Sequence, residues 1–259
     1  MVKKRLIFSL LLNNGAYMLS RNFRLQHVGD LTWLKEYYDF RAIALSIDEL
    51  VVLNVSRSDN ASAVFTKALS ELVKECFIPV AVGGGINTVD KAYEMFDAGA
   101  DKIVLNTSLV KNPALIKELV KNFGGQSIVA SIDYKSHNGC NLVLIENGSV
   151  ETGWSIEQAI RNAIELGVGE VYLTSIDRDG TGRGYDIELL QRAVSICPMP
   201  IIASGGVGRY DHLVEGINQA GVNAVSTANL FAFMADGLTE ARDCMRISGI
   251  DLASWNTDV

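Results

Sequence analysis

Short apolar runs and amphipathic stretches alternate along the whole chain. Strand-like runs occupy residues 5–12, 49–55, 78–82, 102–107, 127–133, 170–176, 200–204 and 223–227. Apolar residues at helical spacing fill the intervals, at 31–44, 61–76, 88–98, 112–122, 155–166, 187–196, 210–219 and 236–247. Eight strand–helix units with short apolar strands predict a parallel sheet covered by helices. Their even spacing favours closure into a single (βα)8 TIM barrel over residues 1–259, rather than an open doubly wound sheet. Residues 134–153, with Asn138-Gly139 at a turn, predict a small β-hairpin inserted after the fifth strand.

The two halves of the pattern resemble each other. Val80-Ala-Val-Gly-Gly-Gly-Ile86 matches Ile201-Ile-Ala-Ser-Gly-Gly-Val207 at an offset of 121 residues, and Glu49–Asn54 matches Glu170–Ser175 at the same offset. Asp90 with Ala98-Gly99, and Asp211 with Ala220-Gly221, recur in the helices that follow. A barrel built from two (βα)4 half-barrels accounts for this repeat.

Composition changes the picture only in what it excludes. The 259 residues are 48% hydrophobic, enough for a large core, and the net charge of −7 argues against nucleic acid or an anionic membrane as partner. Cys76, Cys140, Cys197 and Cys244 have no paired spacing, which suits a reducing cytoplasm better than disulfides or a zinc site. Met1–Arg5 followed by Leu6–Leu12 imitates a signal peptide, but the apolar run is short and Asn13-Asn14-Gly15 reads as a turn, so a first buried strand is expected. His27, His137 and His212 form no metal spacing, and Trp33, Trp154 and Trp255 are expected to pack. No metal and no cofactor is expected.

The chemistry concentrates where strands end. Val168–Asp186 runs from a buried strand into Asp177-Arg178-Asp179-Gly180-Thr181-Gly182, too polar and glycine-rich to continue a sheet. Gly83-Gly84-Gly85 follows the third strand and Gly205-Gly206 the seventh. Glycine lets backbone N–H groups approach an oxyanion, although such pairs also occur simply as tight turns. Gly85 with Asn106 and Thr107 predicts one phosphate cup, and Asp179 and Gly180 with Gly206, Ala228 and Asn229 a second. Two cups in twofold-related places imply a small ligand phosphorylated at both ends. At the other end of the barrel Arg5, Glu49, Lys102 and Glu170 each begin a strand, two cations and two anions that can close a neutral ring.

These residues resemble the cyclase subunit of imidazole glycerol phosphate synthase, a histidine-biosynthesis family. The likeness runs nearly end to end. It is carried by Lys4-Arg5, Asp48-Glu-Leu-Val, Val82-Gly-Gly-Gly-Ile, Ala100-Asp-Lys with Asn106-Thr, Leu173-Thr-Ser-Ile-Asp-Arg-Asp-Gly-Thr with Gly184-Tyr-Asp, and Ile202-Ala-Ser-Gly-Gly. The resemblance implies a glutaminase partner, forming a heterodimer at the bottom of the barrel. It also implies passage of ammonia through a gate of Arg5, Glu49, Lys102 and Glu170, and a place for Asp101 near the partner interface. At the top it implies a bisphosphorylated ribonucleotide attacked by ammonia, with two aspartates sharing acid and base work.

One of those aspartates is Asp133; the position matching the other, at the end of the first strand, is Leu11. The repeat agrees, because Leu11 lies 122 residues before Asp133. The family's strand-two aspartate is Asn54 and its loop lysine is Leu19 here, with Arg21 or Arg24 left to reach a phosphate. Kept cups, a kept gate and a lost acid are similar to a divergent paralogue, the cyclase-like proteins that work beside a glutaminase and a sugar-modifying amidotransferase, where acetamido groups of surface sugars become acetamidino groups. The alternatives are a cyclase with an altered acid/base pair, a phosphoribosyl isomerase and a non-catalytic scaffold.

Overall fold

The structure is a computed structural model that describes residues 3–30, 32–33, 40–57, 61–74, 76–137, 139–228 and 236–254. In chain order the strands are β1 (Arg5–Asn13), β2 (Ala16–Arg21), β3 (Arg24–Asp30), β4 (Glu49–Asn54), β5 (Val80–Gly83), β6 (Lys102–Leu105), β7 (Ile128–His137), β8 (Cys140–Ile145), β9 (Val150–Ser155), β10 (Glu170–Ser175), β11 (Ile201–Ser204) and β12 (Ala224–Thr227). The helices among the described residues are α1 (Phe40–Ser46), α2 (Ala61–Val73), α3 (Val89–Asp97), α4 (Thr107–Lys111), α5 (Pro113–Phe123), α6 (Ile156–Leu166), α7 (Ile187–Ile196), α8 (Tyr210–Asn218) and α9 (Gly237–Ile247).

Eight of the strands run parallel in the order β1–β4–β5–β6–β7–β10–β11–β12, and β12 pairs with β1 to close the barrel. Side chains alternate between its two faces. Leu6, Phe8, Leu10 and Leu12 of β1 enter the large core between barrel and helices, whereas Ile7 joins an inner layer. That layer takes one residue from each barrel strand: Ile7, Val51, Ala81, Val104, Val129, Tyr172, Ile202 and Ala224.

The internal repeat is visible as geometry. Gly84 has φ +97, and a Cβ there would overlap the carbonyl oxygen of Asn54; Gly205 has φ +90 and packs in the same way on the carbonyl of Ser175. Only glycine tolerates both the left-handed backbone and the close approach. At the bottom of the barrel a second device recurs. Asp48 accepts from Leu6 N at 2.7 Å, Asp101 from Val80 N at 2.8 Å and Asn223 from Ile201 N at 3.1 Å, each bracketing two neighbouring strands.

The C-terminal helix is stapled to this frame. Arg242 of α9 makes a two-pronged pair with Asp48, at 3.0 and 2.8 Å, and both side chains are buried. Arg242 also donates to the carbonyls of Ser46 and Ala253.

The structure departs from expectation in detail. The insertion after the fifth barrel strand is an antiparallel extension, β7–β8–β9, and its expected turn residue Asn138 lies outside the described residues. The stretch after β1, read as a long loop, is a second hairpin, β2–β3, paired to β1 through Leu11 and Met18. The helix expected at 112–122 is preceded by a separate turn of helix, α4, because Pro113 starts α5 and Asn112 caps it by accepting from Leu115 N at 3.2 Å. Of the helix expected at 31–44, the part at 34–39 lies outside the described residues, as does Trp255. Among the described residues no helix is long and apolar enough to cross a membrane.

Candidate functional site

Asp133 is the inward residue near the top of β7, where the strand leaves the barrel. It is 9% exposed. Asn106, just past β6, donates its side-chain amide to Asp133 Oδ2 at 3.2 Å, and Ser131 donates to Oδ1 at 3.4 Å. Burial outweighs the Ser131 and Thr174 donors and pushes the Asp133 carboxyl up to about 7, with the negative charge of Asp179 adding to the rise. A carboxyl so placed can hold or release a proton near neutrality. Leu11 lies near the end of β1, and β1 and β7 are opposite strands of the eight, so the residue facing Asp133 across the barrel mouth has no proton to exchange.

The loop after β10 is tied down from both sides. Asp179 accepts from Ser20 Oγ at 2.5 Å and from Phe23 N at 3.1 Å, which pins the tip of the β2–β3 hairpin over the barrel top. Asn22 donates to the carbonyls of Ile176 and Asp177 at 3.0 and 2.9 Å. Burial raises the Asp179 carboxyl, against the pull of its Ser20 and Phe23 donors. Asp177 accepts from Ser136 N at 2.7 Å, joining the same loop to β7.

The turns of both expected cups are described, although not every residue assigned to them. Ser108 donates to the carbonyl of Ile86 at 3.1 Å, so the start of α4 lies beside the glycine turn after β5. Gly85 has φ +73 and open space where a Cβ would stand. The side chains of Asn106 and Thr107 are engaged elsewhere: the Asn106 amide serves Asp133, and the Thr107 hydroxyl accepts from Glu146 N at 3.2 Å. On the other side Gly184 N donates to the carbonyl of Gly206 at 2.7 Å, stacking the loops after β10 and β11. Glycine is required at 206 and at 180 by backbone contacts, with the carbonyls of Gly184 and Ser20. Ala228 follows β12 and is partly exposed, whereas Asn229 lies outside the described residues.

The bottom of the barrel holds a closed ring. Arg5 donates to Glu49 at 2.7 Å and also to Glu170, and Lys102 donates to Glu49 at 2.9 Å and to Glu170 at 3.0 Å. Each acid therefore lies between two cations. The carboxylates are almost fully buried, with side-chain exposures of 2% and 6%, while Arg5 and Lys102 keep about a fifth of theirs, at 21% and 20%. Burial opposes the charge on Arg5, but Glu170 and Glu49 more than offset it and hold the guanidinium firmly protonated. Asp101, next to Lys102, is exposed and spends one carboxylate oxygen on the bracket to Val80 N.

Two features escaped the sequence reading. The role of Asn106 as a donor to Asp133 could be read only from the fold, since no local pattern links positions 27 residues apart. The second is a cluster of hydroxyls inside the barrel. Tyr172 OH lies 2.9 Å from Ser9 Oγ, 3.0 Å from Ser226 Oγ and 3.1 Å from Ser204 Oγ. The only available signal was the alternation on β10, which points Tyr172 to the same side as Glu170.

Comparison with known proteins gives the following likenesses. Residues 30–235 match the family model described as "Histidine biosynthesis protein". The chain is 42% identical, over 98% of its length and 95% of the relative, to the protein of Parasynechococcus marenigrum provisionally named imidazole glycerol phosphate synthase subunit hisF2. It is 36% identical to imidazole glycerol phosphate synthase subunit HisF of Chlorobaculum parvum and 37% identical to that of Chloroherpeton thalassium, each over 96% of this chain and 98% of the relative.

Proposed function

The chain belongs to the family of imidazole glycerol phosphate synthase cyclase subunits, and on that premise we propose that it is a divergent paralogue that carries ammonia to another acceptor. It serves as the barrel subunit of a glutamine-dependent complex. A glutaminase docks at the bottom as its heterodimeric partner and releases ammonia against the ring of Arg5, Glu49, Lys102 and Glu170. Ammonia passes up the barrel to a phosphorylated ligand or a sugar-modifying amidotransferase, with acetamidino formation on a surface sugar as the end product. The observation that carries this reading is Leu11 on the strand opposite Asp133 at the top, above an ion-pair ring that is complete. Exposed apolar side chains at the bottom support a docking surface there: Phe77, which precedes β5, and Ile247, which ends α9, are 78% and 88% exposed.

Leu11 removes a proton donor or acceptor from the family reaction but costs nothing if the acceptor is bound by another protein. The phosphate roles of Gly85, Asn106, Thr107, Asp179, Gly180, Gly206, Ala228 and Asn229, and the partner-facing role of Asp101, are part of the same proposal.

A second reading is a cyclase whose acid/base pair is Asp133 with Asp179, favoured by the negative charge of Asp179, which adds to the rise of the Asp133 carboxyl. Turnover separates the two. Supplied with an ammonium salt and the family's ribonucleotide, this chain is expected to be several hundred-fold slower than a cyclase with both aspartates, since one acid/base residue contributes about 10²–10⁴-fold. Leu11→Asp should then recover part of the gap. Wild-type turnover within about tenfold of such a cyclase would overturn the proposal in favour of the second reading.

A further inference from the structure

The bore of the barrel is closed at a second level above the ion-pair ring. Inward residues of β1 are Arg5 in the ring, then Ile7, then Ser9, then Leu11 below the top loops. Tyr172 starts on β10, and its hydroxyl meets Ser9 on β1, Ser226 on β12 and Ser204 on β11. Since β11 and β12 separate β10 from β1, a side chain that bonds to all three spans much of the interior. Its ring packs among Ile7, Val51, Ala81, Val104, Val129, Ile202 and Ala224, and Tyr172 is 3% exposed. Two of these partners are alanines, so the phenol fills volume that small side chains leave.

The hydroxyls form a connected set, because Ser9 and Ser226 are also 2.7 Å apart. Tyr185 supports it from outside, donating to the Ser226 carbonyl at 2.8 Å. Burial raises the Tyr172 phenol, which therefore stays protonated and both donates and accepts. Ammonia has the same capability on a smaller frame: it donates through N–H and accepts through its lone pair. Three serine hydroxyls that hold a phenol OH can hold an ammonia molecule in its place.

Resting on the ammonia-carrying function proposed above, we infer that Tyr172 is a valve: its phenol seals the bore between the ion-pair ring and Asp133, and its hydroxyl occupies the transit site that ammonia takes on Ser9, Ser204 and Ser226 when the ring swings aside. The barrel then has two barriers of different kinds in series, an ionic ring that excludes charged species and an aromatic plug that excludes water.

The plug is tested without any partner. Ile7→Cys places a thiol in the inner layer against the Tyr172 ring, directly above the ion-pair ring, in the full-length chain, and its reaction with methyl methanethiosulfonate is followed by intact mass, with the native cysteines corrected by the unsubstituted protein. Adding Tyr172→Leu, or Tyr172→Ala in a second variant, should speed labelling at least about tenfold by removing the barrier above the thiol. Equal labelling with and without Tyr172 in folded proteins overturns the inference.

Tyr172→Trp then tests transport in the complex with the cognate glutaminase and amidotransferase. Glutamate release should continue while amidinated product falls at least about tenfold and ammonia escapes to solution. If labelling identifies the plug but this ratio is unchanged, the valve is overturned, whereas the ammonia-carrying reading is judged separately by the Lys102 and Glu170 variants of the ring.

Discussion

Asn106 donates its side-chain amide to Asp133 Oδ2 at 3.2 Å, linking the loop after β6 to the top of β7. Burial pushes the Asp133 carboxyl up to about 7 from the ordinary 3.8, against the Ser131 and Thr174 donors that favour the ionised carboxylate. The folded protein thus binds this proton more tightly than the unfolded chain does. The stability linked to it is complete below about pH 4 and is lost as pH rises through about 7. Asp133→Asn cannot ionise and keeps an acceptor for Asn106. In urea unfolding at about pH 5 and about pH 8, the wild type should lose about 2 kcal/mol or more that the variant does not. Parallel losses in both proteins would place the pH sensitivity elsewhere.

The two proposed anion cups differ in what their glycines do. Gly180 and Gly206 are required by close backbone contacts, whereas Gly85 has open space above it. Gly206→Ala should therefore destabilise the fold by about 1–3 kcal/mol whether or not phosphate binds. Gly85→Ala, strained only by its φ of +73, should cost about 1 kcal/mol and chiefly weaken anion binding. A crystal soaked in concentrated phosphate should show an ion against the Gly85 and Gly206 loops. Water alone at both would refute the cups.

Much of this architecture was legible because its signals are local or periodic. The matching of Val80–Ile86 with Ile201–Val207 placed Gly84 and Gly205 in equivalent turns, and they make equivalent contacts with Asn54 and Ser175. The charged residues that begin strands announced the ring, because strand starts share one end of a parallel barrel. The β2–β3 hairpin was missed for a physical reason. Its turn residues Asn22 and Phe23 have φ of +52 and +59, and no glycine marks the place. Its outer strand is mostly exposed, so β3 carries little apolar alternation. The partner contact expected of Asp101 rests on the family resemblance; its bracket to Val80 N, repeated by Asp48 and Asn223, is a structural duty that only the strand register reveals.

The staple between Arg242 and Asp48 sets how firmly the last helix is held. Arg242→Ala leaves the buried Asp48 with only the Leu6 N donor among the contacts described above, and it frees the carbonyls of Ser46 and Ala253. Removing one partner of a buried pair typically costs about 3–5 kcal/mol. The double change Arg242→Met with Asp48→Leu removes both charges and should recover part of that loss. Denaturant midpoints that fall equally for the single and double variants would show that packing, not charge, is what the staple supplies.

Lys102 decides whether the ring conducts or only braces. It binds Glu49 through both carboxylate oxygens, at 3.0 and 2.9 Å, and Glu170 at 3.0 Å. Lys102→Ala leaves two acids, 2% and 6% exposed, sharing the single cation Arg5. The uncompensated charge should lower stability by about 3 kcal/mol, yet the barrel should stay folded because its strands are held by the apolar layers on both faces. With the cognate glutaminase and amidotransferase, glutamate release should then run ahead of amidinated product, since a loosened mouth lets ammonia leak back and water enter. Lys102→Met removes the same charge but fills the volume, so it separates the electrostatic effect from a simple hole. An unchanged ratio of product to glutamate in Lys102→Ala and Glu170→Ala would make the ring a structural brace, and the route of ammonia through this mouth would have to be abandoned.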